Sequence, residues 1–333
     1  MKSVNFGIVG TNFITDWMLA GAAHEPRFNL SAVYSRSADT AKAFANKHNV
    51  DTTYTDLDEM AASDRIDAVY IASPNSFHAL QALKFLDKGK HVLVEKPFAG
   101  NTTEAKAVIA MAEKRGLVVM EAMKTTATPN FIKVKTSLPL LGKIRRYFAS
   151  YCQYSSRYDK FKEGVVLNAF NPDLGNGALT DIGVYCISPM VALFGKPSEI
   201  KAVSYRLNSG ADGQGAVLCS YPEMEAVLQY SKISDSALPS EIQGEDAVIR
   251  INKINKFDNI GLFYRNGKQE DINVSHIEDD MYYEIKLFID RVLGEDTCPY
   301  LNTVEQSLCV MEIIDEIRNQ TGIVYNSTLH TLL

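Results

Sequence analysis

Residues 4–14 read VNFGIVGTNFI: a short apolar run enters a glycine-containing turn and continues into a segment with helical spacing. This order is typical of a β-strand, a tight turn and a helix, where backbone N–H groups and the positive helix end approach a pyrophosphate. The usual fingerprint is G-x-G-x-x-G, and here Gly10 is followed by Asn12 and Thr15 at the second and third positions. Because Asn tolerates positive φ better than other non-glycine residues, a tight turn remains possible. A purely structural strand–turn–helix gives the same pattern.

The first 122 residues repeat this alternation, which favours the dinucleotide interpretation of the turn. Further apolar runs lie at residues 30–34, 68–72, 91–95 and 118–122. Short, almost uniformly apolar runs are typical of strands buried on both faces of a parallel sheet. We therefore predict an α/β Rossmann domain with a doubly wound parallel sheet over residues 1–122. The residues expected at the pyrophosphate are Gly10, Thr11, Asn12, Phe13 and Ile14.

After residue 123 the pattern changes to strands without intervening helices. Strand-like runs with interleaved polar residues lie at 144–154, 200–207, 216–221, 226–233, 247–251 and 261–264. Turn signals separate them, and this arrangement indicates an antiparallel sheet with one exposed face. Two helical segments close the chain, the first with Met281, Ile285 and Phe288 on one face. We predict a second, α+β domain over residues 123–333, with a large and mostly antiparallel sheet.

Composition excludes several classes of protein. The chain has 333 residues, 34 Lys and Arg against 40 Asp and Glu, and a net charge of −6, which argues against nucleic-acid binding. No run approaches the 18 apolar residues that suggest a membrane span, and the N-terminus lacks the core of a signal peptide. The five scattered cysteines predict small buried hydrophobes in a reducing compartment. We expect a cytoplasmic protein with no metal.

The end of the second predicted strand indicates which dinucleotide binds. An acidic residue there would accept a hydrogen bond from the ribose 2′-hydroxyl and favour NAD. The chain instead reads Tyr34-Ser35-Arg36-Ser37, without a carboxylate. Since Arg binds phosphate bidentately, Ser35 and Arg36 favour NADP over NAD, although a surface loop that happens to contain Arg is the alternative.

Two further strand ends carry polar residues on the edge that faces the ligand in open α/β sheets. Glu95-Lys96-Pro97 ends one strand, where Lys96 can point at the site or simply be solvated. Near a cationic nicotinamide the pKa of Lys96 should fall, which would help it relay protons. The other strand end is that of the run at residues 68–72, and His78 follows it. His78 is a candidate ligand to cofactor or substrate, although a histidine near a helix start is more often structural. The remaining cofactor contacts expected at these two ends are Ala72, Ser73, Pro74, Asn75, Glu95 and Pro97.

Residues 175–185, GNGALTDIGVY, carry the second candidate group. Asp181 and Tyr185 are four residues apart and share one face of a helix. A Tyr hydroxyl beside a lysine can have its pKa lowered enough to exchange a proton with a substrate hydroxyl, and the carboxylate can orient that substrate. In isolation the same residues often form a helix cap with a core tyrosine.

Together these motifs resemble the Gfo/Idh/MocA family, which includes glucose–fructose oxidoreductase, inositol dehydrogenase and rhizopine-catabolism proteins. The resemblance spans nearly the whole chain. It rests on the turn at Gly10, Pro74-Asn75 with His78, Glu95-Lys96-Pro97, Glu121-Ala122, and Asp181 with Tyr185. Tyr rather than His at position 185 is similar to dihydrodiol dehydrogenase and glucose–fructose oxidoreductase.

The resemblance implies a catalytic group of Lys96, Asp181 and Tyr185, and a cis peptide between Lys96 and Pro97. It also implies a C-terminal domain that binds substrate and forms a homodimer or homotetramer through the open face of its sheet. The pocket walls implied by the resemblance include Lys124, Arg157 and Phe170.

We therefore expect an NADP-dependent oxidoreductase acting on a secondary alcohol or carbonyl of a sugar, polyol or cyclic diol. A non-enzymatic NAD(P)-binding sensor of the same fold is one alternative, and a sugar-binding structural protein is another. An intact set of Lys96, Asp181 and Tyr185 speaks against a sensor, because a sensor has no need of a proton relay.

Overall fold

The computed structural model describes residues 2–325, and these form two compact units. The first unit contains residues 2–123 together with Ile277–Val304, and the second contains Lys124–His276 and residues 305–325. The predicted domains of 1–122 and 123–333 differ from these units in the segment Ile277–Val304, which the structure places with the first unit. Residues 326–333 of the predicted second domain lie outside the described part.

The first unit is built on a parallel sheet. Within residues 2–325 its strands are β1 (Val4–Val9), β2 (Phe28–Tyr34), β3 (Thr53–Tyr54), β4 (Ala68–Ile71), β5 (His91–Glu95) and β6 (Val119–Ala122). Their order is β3-β2-β1-β4-β5-β6, and each pair of neighbours is parallel. This is the doubly wound Rossmann order, which confirms the predicted fold class. β3 was not predicted, because two residues carry no periodicity.

Helices connect the strands in both halves of this sheet. The two halves meet between β1 and β4, where the strand order reverses. The helices are α1 (Phe13–Ala22), α2 (Ala38–Lys47), α3 (Leu57–Ala62), α4 (His78–Asp87) and α5 (Thr102–Arg115). Both ends of α5 are capped: Asn101 Oδ1 accepts from the Glu104 N–H at 2.9 Å, and Gly116 is left-handed with φ of 64°. Local side chains thus end and begin the helices that bring the chain back to the sheet.

The second unit is built on a larger sheet, which confirms the predicted α+β architecture. In the described chain its strands are β7 (Ile144–Cys152), β8 (Glu199–Arg206), β9 (Asp212–Ser220), β10 (Glu225–Ser231), β11 (Ser240–Gly244), β12 (Ala247–Lys253), β13 (Asp258–Tyr264) and β14 (Gln269–Asp271). The order is β14-β13-β12-β11-β7-β10-β9-β8. The fifth and sixth strands in this order, β7 and β10, are parallel, and the other neighbours are antiparallel.

Helices cover one face of this sheet and leave the other open. Beyond residue 123 the described chain has the helices α6 (Lys124–Ala127), α7 (Pro129–Ser137), α8 (Tyr158–Lys162), α9 (Val184–Phe194), α10 (Tyr282–Leu293) and α11 (Val304–Thr321). Of these, α10 belongs to the first unit. α9 packs on the covered face, where the Tyr147 hydroxyl of β7 donates to the Cys186 carbonyl at 3.2 Å. On the open face, Val203, Tyr205 and Leu218 are 70%, 59% and 55% exposed.

α10 belongs to the first unit because three kinds of contact join it there. The Phe288 ring lies 5.7 Å from Phe6 of β1. A Cβ on Gly21 of α1 would lie 2.7 Å from the Tyr282 nitrogen, so the two helices approach through a glycine. Arg27 donates to Asp290 of α10 at 2.7 Å in a buried ion pair. These long-range contacts, which no local pattern encodes, explain why the predicted domain boundary missed this segment.

Through residue 325, the structure contains no helix with the length and apolar character that crossing a membrane requires.

Candidate active site

The β1–α1 turn is shaped for close approach of another group to its backbone. Gly10 has φ of +109°, and a Cβ there would lie 2.5 Å from the Ala72 carbonyl oxygen. Only glycine fits such a position. Thr15, at the third fingerprint position, donates from its hydroxyl to the Gly10 carbonyl at 2.9 Å. The first residue of the fingerprint is therefore required by the end of β4 as well as by the turn.

Asn12 substitutes for the second fingerprint glycine in a different way from the one predicted. Its φ is −97°, an extended conformation, so it does not use the tolerance of Asn for positive φ. Its Oδ1 accepts from the Ile14 N–H at 2.9 Å as the N-cap of α1, and its Nδ2 donates to the Ala72 carbonyl at 3.2 Å. Asn12 thereby ties the turn after β1 to the end of β4.

These features fit a dinucleotide pyrophosphate. The N-terminus of the ten-residue helix α1 follows the carboxyl end of β1, where the helix dipole favours an anion. Thr11 and Ile14 are half-buried, and Phe13 is exposed beside Trp17. The backbone and the helix end together supply the donors that such a ligand needs.

The end of β2 fits a phosphorylated ribose better than an unmodified one. Ser35 is half-buried with its N–H on the Tyr54 carbonyl, and Arg36 is exposed. Ser37 caps α2 by accepting from the Thr40 N–H at 3.4 Å. The guanidinium of Arg36 therefore stands at the strand end where an NAD-specific fold would place a carboxylate.

His78 is fully buried and joins the ends of β4 and β5. Its Nδ1 lies 2.9 Å from the Pro97 carbonyl oxygen, and its Nε2 lies 2.9 Å from the Ser73 carbonyl oxygen. Burial lowers the pKa of this imidazole, against the two carbonyl contacts that raise it. Pro74 and Asn75 lie between the residues it connects, and Ser73 also donates to Gln81 at 2.7 Å. His78 thus positions two of the loops in which cofactor contacts are predicted.

Glu95 and Lys96 follow β5 in two different environments. Glu95 is buried and accepts a 2.5 Å hydrogen bond from the hydroxyl of Tyr70, which is itself buried in β4. Lys96 is half-buried, and the Lys96–Pro97 peptide is cis, as the resemblance implied. The carboxylate is thus oriented within the sheet, and the lysine lies at its carboxyl edge.

In the second unit, Asp181 and Tyr185 occupy neighbouring turns. Asp181 lies in a π-helical turn, Leu179–Gly183, rather than in regular α-helix, and Tyr185 lies in the first turn of α9. Such turns are frequent at functional sites. The Asp181 carboxylate accepts from the buried Lys232 ammonium at 2.7 Å. The Tyr185 ring meets the Tyr151 ring edge to face, 5.8 Å between centroids.

A buried carboxylate explains the glycines before this turn. Asp212 accepts from the Leu179 N–H at 2.7 Å and from the Tyr325 hydroxyl. A Cβ on Gly177 would lie 1.9 Å from Asp212 Oδ1, so glycine is required for close approach. Burial raises the pKa of the Asp212 carboxyl, against the hydrogen bonds that lower it. The segment at Gly177 is therefore a tightly packed helix start.

The predicted pocket-wall residues lie in three different settings. Lys124 begins α6 and is half-buried, whereas Arg157 is exposed just before α8. Phe170 is completely buried, with the Tyr158 and Phe161 rings 5.7 and 5.4 Å away. Their roles at a pocket stay predictions.

Sequence reasoning missed three polar residues of the second unit: Lys232, Asp212 and Tyr151. Each lies on a strand or just beyond its end, and its partner is distant in the sequence. The single charge in the strand-like run 226–233 was the available signal for Lys232. Within residues 2–325, no group of three or more His, Cys, Asp or Glu could hold a metal ion.

A Rossmann sheet with a glycine turn after its first strand, in one chain with a mixed sheet and a helical segment that carries Asp181 and Tyr185, is typical of nicotinamide-dependent oxidoreductases. Residues 4–123 match the model of the oxidoreductase family with an NAD-binding Rossmann fold, and residues 140–250 match the GFO/IDH/MocA C-terminal domain. The chain belongs to the GFO/IDH/MocA oxidoreductase family.

Three similar proteins match this chain over nearly its whole length. A scyllo-inositol 2-dehydrogenase (NADP(+)), IolU, of Bacillus subtilis is 52% identical over 322 residues, which cover 97% of this chain and 98% of the relative. The trans-1,2-dihydrobenzene-1,2-diol dehydrogenase of Oryctolagus cuniculus is 26% identical, covering 98% of this chain and 100% of the relative. A 3-ketoreductase from Actinomadura kijaniata, solved with NADP and TDP-benzene, superposes with a TM-score of 0.84 at 25% identity, covering 98% of this chain and 100% of its own.

Burial of His78 predicts a pH-dependent stability. The folded state lowers the pKa of this imidazole below its ordinary 6.5. As the pH falls through that value, the unfolded chain therefore binds more protons than the folded chain does. The contribution of neutral His78 is therefore present above about pH 6.5 and lost progressively below it. We expect the free energy of unfolding of the wild type to fall between pH 7 and pH 5.5, and that of His78→Gln to fall less. Urea denaturation at both pH values measures this, and parallel losses in the two proteins would contradict it.

Proposed function

We propose that this chain catalyses NADP-dependent hydride transfer at a secondary alcohol or carbonyl of a cyclic polyol or sugar. The observation that carries the proposal is the pairing of Asp181 with a buried cation on the turn next to Tyr185. A carboxylate held in this way can bind a substrate hydroxyl while a nearby phenol exchanges the reacting proton. The relationship to a scyllo-inositol 2-dehydrogenase at 52% identity supports a polyol as substrate.

Lys96, Asp181 and Tyr185 have separate roles in this proposal. When bound, the nicotinamide accepts or supplies the hydride. Tyr185 takes the proton of the reacting hydroxyl during oxidation and returns it during reduction. The Lys96 ammonium stabilises the tyrosinate and the developing alkoxide, since a cation next to an oxyanion lowers the free energy of both. Asp181 accepts a hydrogen bond from a neighbouring hydroxyl and so orients the substrate.

The sensor and the sugar-binding structural protein are weaker alternatives. Full-length relatives of this chain are named for catalysed reactions. A protein that only binds would gain nothing from a carboxylate and a phenol on adjoining turns beside a buried lysine. Both alternatives predict no NADP-dependent change in absorbance with any polyol or aldose.

Removing the Tyr185 hydroxyl should abolish most turnover. We expect Tyr185→Phe to lower kcat for scyllo-inositol oxidation by about 10²-fold or more, because the proton loses its acceptor, with the Kd for NADP unchanged. Tyr221→Phe is the matched control, since the Tyr221 hydroxyl donates to the Gly195 carbonyl at 2.9 Å and has no role in the proposal. Steady-state kinetics and a fluorescence titration of the cofactor make the comparison. Wild-type turnover in Tyr185→Phe would refute the role.

NADP is the proposed cofactor because Arg36 takes the position of the usual ribose-binding carboxylate. Arg36→Ala should weaken NADP binding by about tenfold or more, the loss expected for one charge-assisted contact to phosphate, and should change NAD binding little. Titration of both dinucleotides into both proteins measures the difference. Equal losses for NADP and NAD would remove the preference.

The open face of the second sheet is the proposed interface of a homodimer or homotetramer. Val203 and Tyr205 of β8 lie on this face, and Leu218 of β9, which pairs with Lys201, lies on the same face diagonal to Val203. Contiguous exposed apolar side chains on a sheet are typical of an interaction surface.

A cytoplasmic location stays a prediction from the cysteines and the N-terminal sequence.

A charge on this face should dissociate the oligomer. We expect Leu218→Asp to shift the protein to a smaller species, because burying an unpaired carboxylate opposes association. Val165→Asp is the control, since Val165 is also exposed but lies in a loop. Size-exclusion chromatography with light scattering gives the masses. A monomeric wild type, or an unchanged mass in Leu218→Asp, would argue against this interface.

A further inference from the structure

Lys232 is a buried cation that neither motif nor spacing predicted. It is 3% exposed and follows directly after β10. Its ammonium lies 2.7 Å from Asp181 Oδ2 and 2.7 Å from the Ala169 carbonyl oxygen, and 4.9 Å from the centroid of the Phe170 ring. The ammonium thus joins the Asp181 turn to the short helical segment Asn168–Phe170.

The backbone of Lys232 is anchored on both sides. Its N–H donates to the Gly213 carbonyl at 2.9 Å, and its carbonyl accepts from the Ser155 N–H at 2.9 Å. The Ser231 hydroxyl accepts from the N–H groups of Ile233 and Ser234, which closes the turn that follows. These hydrogen bonds fix the backbone from which the Lys232 side chain extends to Asp181.

The two ends of the Lys232–Asp181 pair differ in exposure. The Lys232 side chain is 4% exposed and the Asp181 side chain 37% exposed. An isolated buried ammonium is costly, and that cost is offset only when acceptors surround it, as Asp181 and Ala169 do here. The carboxylate keeps an accessible side, on which a substrate hydroxyl can donate.

We propose that Lys232 is a positioning residue, which holds Asp181 ionised and aimed so that it accepts a hydrogen bond from a substrate hydroxyl. This inference rests on the proposed function and extends it to the substrate: a carboxylate kept as an anion requires a hydroxyl donor beside the reacting carbon. A ketone or ether oxygen at that position finds no donor from an ionised Asp181.

The other titratable groups around this pair come from three elements. Tyr151 of β7 stands near Asp181, and burial, with the Asp181 charge second, raises its pKa to about 12. Tyr185 of α9 packs on Tyr151, and Asp212 of β9 interacts with the charge of Lys232. Tyr151 therefore stays neutral at physiological pH, and the Lys232 ammonium is in direct contact with the Asp181 carboxylate.

Replacing the ammonium tests whether Lys232 acts through Asp181. We expect Lys232→Met to lower kcat/KM for scyllo-inositol by about 10²-fold, the loss associated with misplacement of a positioning group, with the Kd for NADP unchanged. The acidic limb of the pH profile should move to higher pH by about one unit, because a carboxylate without its cation protonates more easily. Lys232→Arg keeps the charge and should keep the wild-type limb.

Lys135→Met is the matched control. Lys135 lies in α7 of the same unit, is partly buried, and donates to the Ala192 carbonyl at 3.1 Å. Its replacement removes a partly buried ammonium without touching Asp181, and we expect the wild-type pH profile. A limb that moves in both variants would trace the effect to general loss of a lysine and overturn the proposal.

A double-mutant cycle separates positioning from packing. In an Asp181→Asn background, Lys232→Met should cause no further loss of kcat/KM, since its effect passes through the carboxylate. The same four proteins give a readout without activity: the double variant should have a Tm no lower than Lys232→Met alone, because it no longer leaves a carboxylate without its cation. Should Lys232→Met fail to fold, Lys232→Gln takes its place, with a loss expected only when Asp181 is present.

The outcomes distinguish the two proposals. Additive losses in the cycle, or an unmoved acidic limb while Tyr185→Phe is inactive, would leave Lys232 with a packing role and overturn this inference alone. Wild-type turnover in Tyr185→Phe would overturn the proposed function, whereas the Tm cycle would still report whether Lys232 and Asp181 are coupled.

Discussion

Parallel pairing of β1 with β2 and β4, and of β4 with β5, is the constraint on which the nucleotide-binding unit depends. Strands that run in one direction release the chain at one edge, so the residues that follow them collect there. The edge is compact enough that a Cβ on Gly10 would strike the Ala72 carbonyl. Asn12 and His78 then connect neighbouring loops through backbone carbonyls, so that this edge is held together by its own hydrogen bonds.

The second unit uses buried charged side chains where the first unit uses backbone groups. Asp212 takes the first N–H of the π-helical turn, and Lys232 takes the Asp181 carboxylate at the centre of that turn. Each group costs free energy to bury and is tolerated because its partners are close and well aligned. Gly177 is required by this packing, since a side chain there would displace Asp212. A turn held by two charges from neighbouring strands is stiffer than its glycines indicate.

Membership of an oxidoreductase family is consistent with the charged groups of Asp181 and Lys232, which meet at the turn Leu179–Gly183. Family relationship alone defines a fold and a type of reaction, whereas discrimination between substrates rests on particular side chains. Lys124 and the buried Thr126 add polar groups to the start of the second unit. A polyol, with several hydroxyl donors, matches an anionic acceptor better than an apolar ring does.

Local sequence was sufficient for much of the architecture. Uniformly apolar runs predicted β1, β2, β4, β5 and β6, because strands buried on both faces need apolar side chains throughout. The caps of α5 and the Glu95-Lys96-Pro97 and Asp181–Tyr185 motifs were also visible in short stretches. Tertiary structure alone decided the pairing of the two-residue β3, the packing of α10 on α1, the extended φ of Asn12 and the contact between Lys232 and Asp181. The physical reason is the same in each case: burial and ion pairing join residues far apart in the chain, and they override preferences that a short window of sequence expresses.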